Sequence, residues 1–180
     1  VSASQKATVA SSLASQVLAL TTLKAKIAAD TDLPTLKTDI ASITASYRIF
    51  MLVMPQARIQ VAADKIMTVT GSLTTLAAKL KTHIDAAAAA GKDVSVMTSS
   101  YTEMNAKIAD ATVQSSAAVT LIASLMPDNG DNAKKQANEQ ALKDARAKIK
   151  LGAQDIETAR KDAHSIVKVL REMGLAASAG

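Results

Sequence analysis

The chain has 180 residues, 48% of them apolar, with a formal charge of +5 and no cysteine; that length suits one packed domain or a rod of a few long helices. Six Gly and three Pro, beside abundant Ala, Leu, Lys and Thr, make a helical composition because little is present to end a helix. The lack of cysteine excludes disulfides and thiolate metal sites, and a longest apolar run of six residues, 49–54, falls far short of the roughly 20 needed to span a bilayer.

The small, polar start Val1-Ser2-Ala3-Ser4 suits a mature chain from which a secretory signal has been removed. A first helix is expected from about Ser4 to Ala29, with Val9, Leu13, Val17, Leu20, Leu23 and Ile27 forming one stripe at steps of three and four. It stops at Asp30-Thr31-Asp32-Leu33-Pro34. There Asp32 can accept from free backbone N–H groups and Pro34 has no N–H to leave unpaired at a helix start. So short a link makes the first two helices antiparallel neighbours.

The second helix runs from Pro34 toward Met54 on a stripe of Leu36, Ile40, Ile43, Tyr47, Phe50 and Met54. The third repeats the pattern with Ile59, Ala62, Ile66, Val69, Leu73, Leu76 and Leu80. The two stripes are out of phase, because the step from Met54 to Ile59 is five and Pro55 lies within it. Proline there deletes the hydrogen bond to the Met51 carbonyl and clashes with it, so a kink or break is expected between Met51 and Gln56, with Tyr47, Phe50 and Met54 buried.

The third helix reaches the Ala86–Ala90 run and ends at Gly91, suited to a left-handed cap. A fourth opens at Asp93 on the seam Val94, Met97, Tyr101, Met104, Ile108, Ala111, Ser115, Ala118, Ile122 and Leu125. It stops at Met126-Pro127-Asp128-Asn129-Gly130-Asp131, a loop by composition. A fifth helix, Asn132 to Met173, is the most regular, with the seam Leu142, Ala145, Ile149, Gly152, Ile156, Ala159, Ala163, Ile166, Leu170 and Met173. Glu139, Asp144 and Glu157 each precede a lysine by four on its outer side.

Together the stripes and stops give an all-α fold: an elongated antiparallel bundle of long heptad-patterned helices, broken or kinked at Pro55. It is read as a single helical domain over 1–180, divided into a hairpin (1–54), the third and fourth helices (55–126), the fifth (132–173) and a frayed tail (174–180).

Chemistry is sparse. Neither His83 nor His164 follows a Glu three residues earlier, so the paired Glu-x-x-His ligands of di-iron bundles are missing. The Asp128–Asn132 stretch is rich in oxygen but lacks the spacing and closing Glu of an EF-hand, and reads as a turn ending in a helix cap. No nucleophile elbow, phosphate-cradling glycine loop or dinucleotide fingerprint occurs. Acids such as Asp64, Asp85, Glu103 and Asp110 could share acid–base work only if they faced across helices. With no catalytic group, no cofactor and no metal expected, the chain reads as non-enzymatic. The methionines 51, 54, 67, 97 and 104 read as core first and as an adaptable groove second.

The charge excess sits near the C-terminus: residues 1–131 hold 11 Lys and Arg against 10 Asp and Glu, whereas residues 132–180 hold 10 against 6. Candidate polyanion contacts on the fifth helix are Lys143, Arg146, Lys150, Arg160, Lys161, Lys168 and Arg171. Three aromatics in the whole chain argue against stacking on single-stranded nucleic acid, and no specific nucleic-acid motif is present.

Three segments, LKAKIAADTDLPTLKTDIASITASYRIFMLVMPQARIQVAADKI, GKDVS and ARKDAHSIV, resemble uncharacterised, exported, Ala-rich α-helical proteins of bacteria, actinobacteria in particular. The resemblance implies a bacterial origin and an extracellular or cell-surface location, and carries no activity. The expectation is a structural or interaction module with a protein partner or self-association. The alternative is a bundle that binds anionic membranes or polyanions through its basic last helix.

Overall fold

With so few helix-ending residues, the chain turns only where the sequence supplies a stop. The computed structural model describes residues 3–47 and 49–174, without the side chains of 3–6, 8, 9, 12, 44–47, 49 and 50. It is all-α: α1 (Ala3–Ala29), α2 (Leu33–Tyr47), a π-helical turn (Ile49–Val53), α3 (Met54–Ala89), α4 (Ser95–Ala123) and α5 (Asn132–Glu172). No strand occurs among the described residues.

The stops are built from the residues that the sequence marks for them. Asp32 Oδ1 accepts from the Thr35 N–H at 2.8 Å at the start of α2, and Asp93 Oδ1 from the Ser95 N–H at 2.9 Å before α4. Gly91, at φ +72°, closes α3. Its N–H donates to the Ala88 carbonyl at 2.9 Å and that of Lys92 to Ala87 at 3.1 Å, the paired bonds of a Schellman cap. Asp131 Oδ1 accepts from the N–H groups of Ala133 and Lys134 at 2.8 and 3.2 Å, so the oxygen-rich loop does end as a helix cap.

The molecule divides into two compact units, residues 1–64 with 118–146 and residues 65–117 with 147–180. In the first, α1 and α2 form a hairpin in which Lys26 Nζ lies 2.9 Å from Oδ1 of the buried Asp39. Leu52, Ile59, Ala63, Ala118, Ile122, Leu142 and Ala145 are its buried apolar residues. Gln56 Nε2 donates to the Ile122 and Leu125 carbonyls at 3.0 and 3.1 Å, at the end of α4 where intrahelical partners run out. Asn138 Nδ2 donates to the Met126 carbonyl at 2.9 Å.

The second unit is a three-helix arrangement with one continuous core. Ile66, Leu73, Leu80 and Ile84 of α3 meet Met97, Met104 and Ile108 of α4 and Ile156, Ile166 and Leu170 of α5. Small residues bring the backbones together. A Cβ on Gly152 of α5 would lie 3.3 Å from Ile66 Cδ1 and 3.4 Å from the Ala111 carbonyl oxygen. Met97 and Met104 are fully buried core residues, whereas Met51, Met54 and Met67 are exposed.

The seams of α4 and α5 hold at every position, each residue named being buried or half-buried. Other expected stripes turn out differently. In α3 the anchors Ile59, Ile66, Leu73 and Leu80 are buried and Ala62 and Val69 are half-buried, Val69 against the core, but Leu76 is exposed, and the fully buried residues between the anchors are Ala63, Thr70 and Ala77. Both flanks fit a seven-residue repeat, and at the last step the smaller Ala77 takes the core position in place of Leu76, which admits closer neighbours. Thr70 is tolerated there because its hydroxyl donates to the Met67 carbonyl at 2.8 Å.

In the N-terminal hairpin the expected stripes are covered only in part. Leu20, Leu23 and Ile27 of α1 and Leu36 of α2 are half-buried. Leu13 and Val17 of α1, and Ile40 and Ile43 of α2, are exposed, while Asp39 takes the buried place on α2. Just before Pro55 the helix departs from α geometry in the π-helical turn, which runs directly into α3. Pro55, which has no N–H to donate, stands in the first turn of α3 directly after the π-helical turn. Met54, expected to be buried, is 37% exposed, and Leu52 is buried at 3%. Leu52 lies seven residues before Ile59, so it continues the buried seam of α3 back across Pro55, and Met54 falls off that line. Val9, Tyr47 and Phe50 lie outside the residues whose side chains are described.

Candidate functional site

Helix α5 combines a regular buried seam with a charged outer surface, so its cations reach solvent on a rigid support. In the second unit, Arg160, His164, Lys168, Arg171 and Glu172 of α5, with Ala163 and Val167, form one side of an open groove of about 600 Å³. Leu73 and Leu76 of α3 form the other. The step from Arg160 to Arg171 is about three helical turns, roughly 17 Å along the axis, so the two guanidinium groups arise from nearly the same line of the helix. His164 and Lys168 fall between them.

The groove is therefore cationic along one edge and apolar along the other. Three permanent cations face one carboxylate, Glu172, which stands 4.0 Å from Lys168. A contact that long in solvent holds Lys168 loosely and leaves the guanidinium groups available.

Of the seven candidate anion contacts, the structure brings Arg160, Lys168 and Arg171 into the groove. Lys161 is engaged by Glu157 at 2.8 Å, which holds the Glu157 carboxyl below its ordinary pKa, and it does not line the groove. Lys143, Arg146 and Lys150 are exposed on α5 but are not part of the lining. The apolar half of the site is hidden in the sequence. Leu76 carries the spacing of a core residue on the α3 seam, and only the choice of Ala77 for that seam releases Leu76 to the groove.

The acids that could have met across helices are mostly engaged locally. Asp85 pairs with Lys81 at 2.7 Å, Asp64 accepts from Gln60 at 3.4 Å, and Lys107 bridges Asp110 at 3.1 Å to Asp155 of α5 at 3.2 Å. Hydrogen bonds to those two aspartates hold the Lys107 ammonium above its ordinary pKa. The carboxyl of Asp162 on α5 is pushed up first by loss of water and then by the charge of Glu103. Among the described residues no group of three His, Asp or Glu is placed to hold a metal ion. No described helix is long and apolar enough to cross a membrane. Among protein families, curated proteins and solved structures, none matches this chain.

Proposed function

We propose that the protein is a non-enzymatic structural or interaction module, acting outside the bacterial cell or at its surface, whose N-terminal hairpin offers the working face. The observation that carries this reading is that no described side chain of α1 is buried, although the helix has the stripe of a packed one. Val17 and Leu18 are 64% and 70% exposed, with Leu13 beside them and Leu33, Ile40 and Ile43 exposed on α2 and at its start. An apolar surface of this kind on one hairpin is the mark of an interface, with a partner protein or a second copy of the chain covering it. The location rests on the resemblance of the sequence to exported bacterial proteins.

The test is a photo-crosslinker placed at Val17 or Leu18, together with solution mass measured as concentration rises. A discrete adduct, or a concentration-dependent oligomer weakened by Val17→Asp, is expected. A monomer at all concentrations that forms no adduct on its native surface would sink the reading.

A second reading, that α5 binds anionic membranes or polyanions, is favoured by the gathering of Arg160, Lys168 and Arg171 along one groove edge. Binding of anionic vesicles or polyphosphate that weakens with salt would support it, and no binding at low salt would remove it.

A further inference from the structure

The second unit's groove has a chemistry more particular than a basic helix. A polyanion is best held by cations on both walls, yet the α3 wall contributes Leu73 and Leu76 and no charge. A free phosphate would fill little of about 600 Å³ and leave the apolar wall wet. That volume lies within the range of roughly 300–1,000 Å³ typical of small-molecule sites. A concave surface with one apolar wall and one cationic edge complements a molecule that is itself half apolar and half anionic.

We propose that this groove binds a monomeric, single-chain anionic amphiphile, its acyl chain against Leu73, Leu76 and Val167 and its carboxylate or phosphate head on Arg160, Lys168 and Arg171. The inference rests on the reading of α5 as an anion-binding helix and names the ligand class. Guanidinium groups suit the head because they bind carboxylate and phosphate through two parallel hydrogen bonds. Their aliphatic stems, and that of Lys168, cover part of the chain while the charged ends stay in water. Leu76, 36% exposed in the open groove, is the side chain that a bound chain would shield.

The probe is cis-parinaric acid, a fatty acid that fluoresces when shielded from water; the chain has no Trp to interfere. Saturable binding at neutral pH is expected, displaced by lysophosphatidylglycerol below its micelle concentration and not by inorganic phosphate. Arg160→Gln with Arg171→Gln should weaken it about tenfold or more, as loss of charge-assisted hydrogen bonds does. Leu76→Asn should weaken it separately, and Lys143→Gln with Lys150→Gln should leave it unchanged. Circular dichroism of each variant separates lost binding from lost helix. Binding that survives both groove substitutions would overturn the proposal. So would binding of anionic vesicles or polyphosphate without the monomeric acid, a result that keeps the broader anion-binding reading. Failure of all three ligands would overturn both.

Discussion

Asp162 lies half-buried on α5 with one carboxylate oxygen enclosed and without a hydrogen-bond partner, near the charge of Glu103. An acid whose pKa is raised by folding holds its proton more tightly in the native state than in the unfolded chain. Native stability therefore falls as pH rises from the ordinary Asp value of about 3.9 through the raised one. Asp162→Asn removes that loss, so the variant should melt higher than the parent at neutral pH, the gap closing in acid; equal melting temperatures at neutral pH would contradict it. Asp32 and Asp93 act in the opposite sense, because backbone N–H groups of Thr35 and Ser95 hold their carboxyls below the ordinary value. Their contribution is complete above that value and is lost as pH falls through the lowered one. The Asp131 cap, which holds two N–H groups of α5, makes a simpler test: Asp131→Ala should cost about 0.5–2 kcal/mol in chemical denaturation.

At the scale of one element, the segment through Pro55 buries a residue other than the one its stripe indicates. Leu52 and Met54 are both large, apolar and adjacent to the break, but Leu52 is enclosed and Met54 is not. Leu52→Ala should cost about 2–5 kcal/mol, the usual range for emptying a buried site. Met54→Ala should cost well under half as much, and equal costs would mean that Leu52 is not the inward-facing residue of this segment. On α5, Gly152 sits where three helices come close. Alanine there sets a helix-propensity gain of about 1 kcal/mol against contacts of 3.3 and 3.4 Å, of which the Ile66 methyl can yield and the Ala111 carbonyl cannot. Gly152→Val adds volume that neither can absorb and should destabilise by roughly 1–3 kcal/mol, measured as a shift in the denaturation midpoint.

Across the whole molecule, burial is uneven. The second unit has three helices sharing one apolar core, whereas α1 has no buried side chain among those described. Helices of this kind are held mainly by tertiary packing rather than by propensity. Amide hydrogen exchange should therefore be orders of magnitude faster in α1 than at Ile66–Ala87 of α3. Uniform protection along the chain would show that α1 is covered in solution, which would favour self-association through the hairpin. The basic excess of residues 132–180 also resolves by position, with Lys161 engaged by Glu157 and Arg160 and Arg171 lining the groove.

The helices, their ends and the seams of α4 and α5 were legible in the sequence because they depend on local chemistry. Asp at an N-cap, Gly91 at a left-handed position and a seven-residue repeat of apolar residues each act within a turn or two of their own helix. The candidate site was half legible, since charges on an outer face announce themselves and an exposed leucine does not. Leu76 and Ala77 both fit the α3 repeat, and which one faces the core depends on the neighbouring helices, residues far away in the chain. The same holds for α1 and α2, whose stripes promise packing that these two helices alone do not complete. Periodicity states that a face is apolar; only tertiary structure decides what, if anything, covers it.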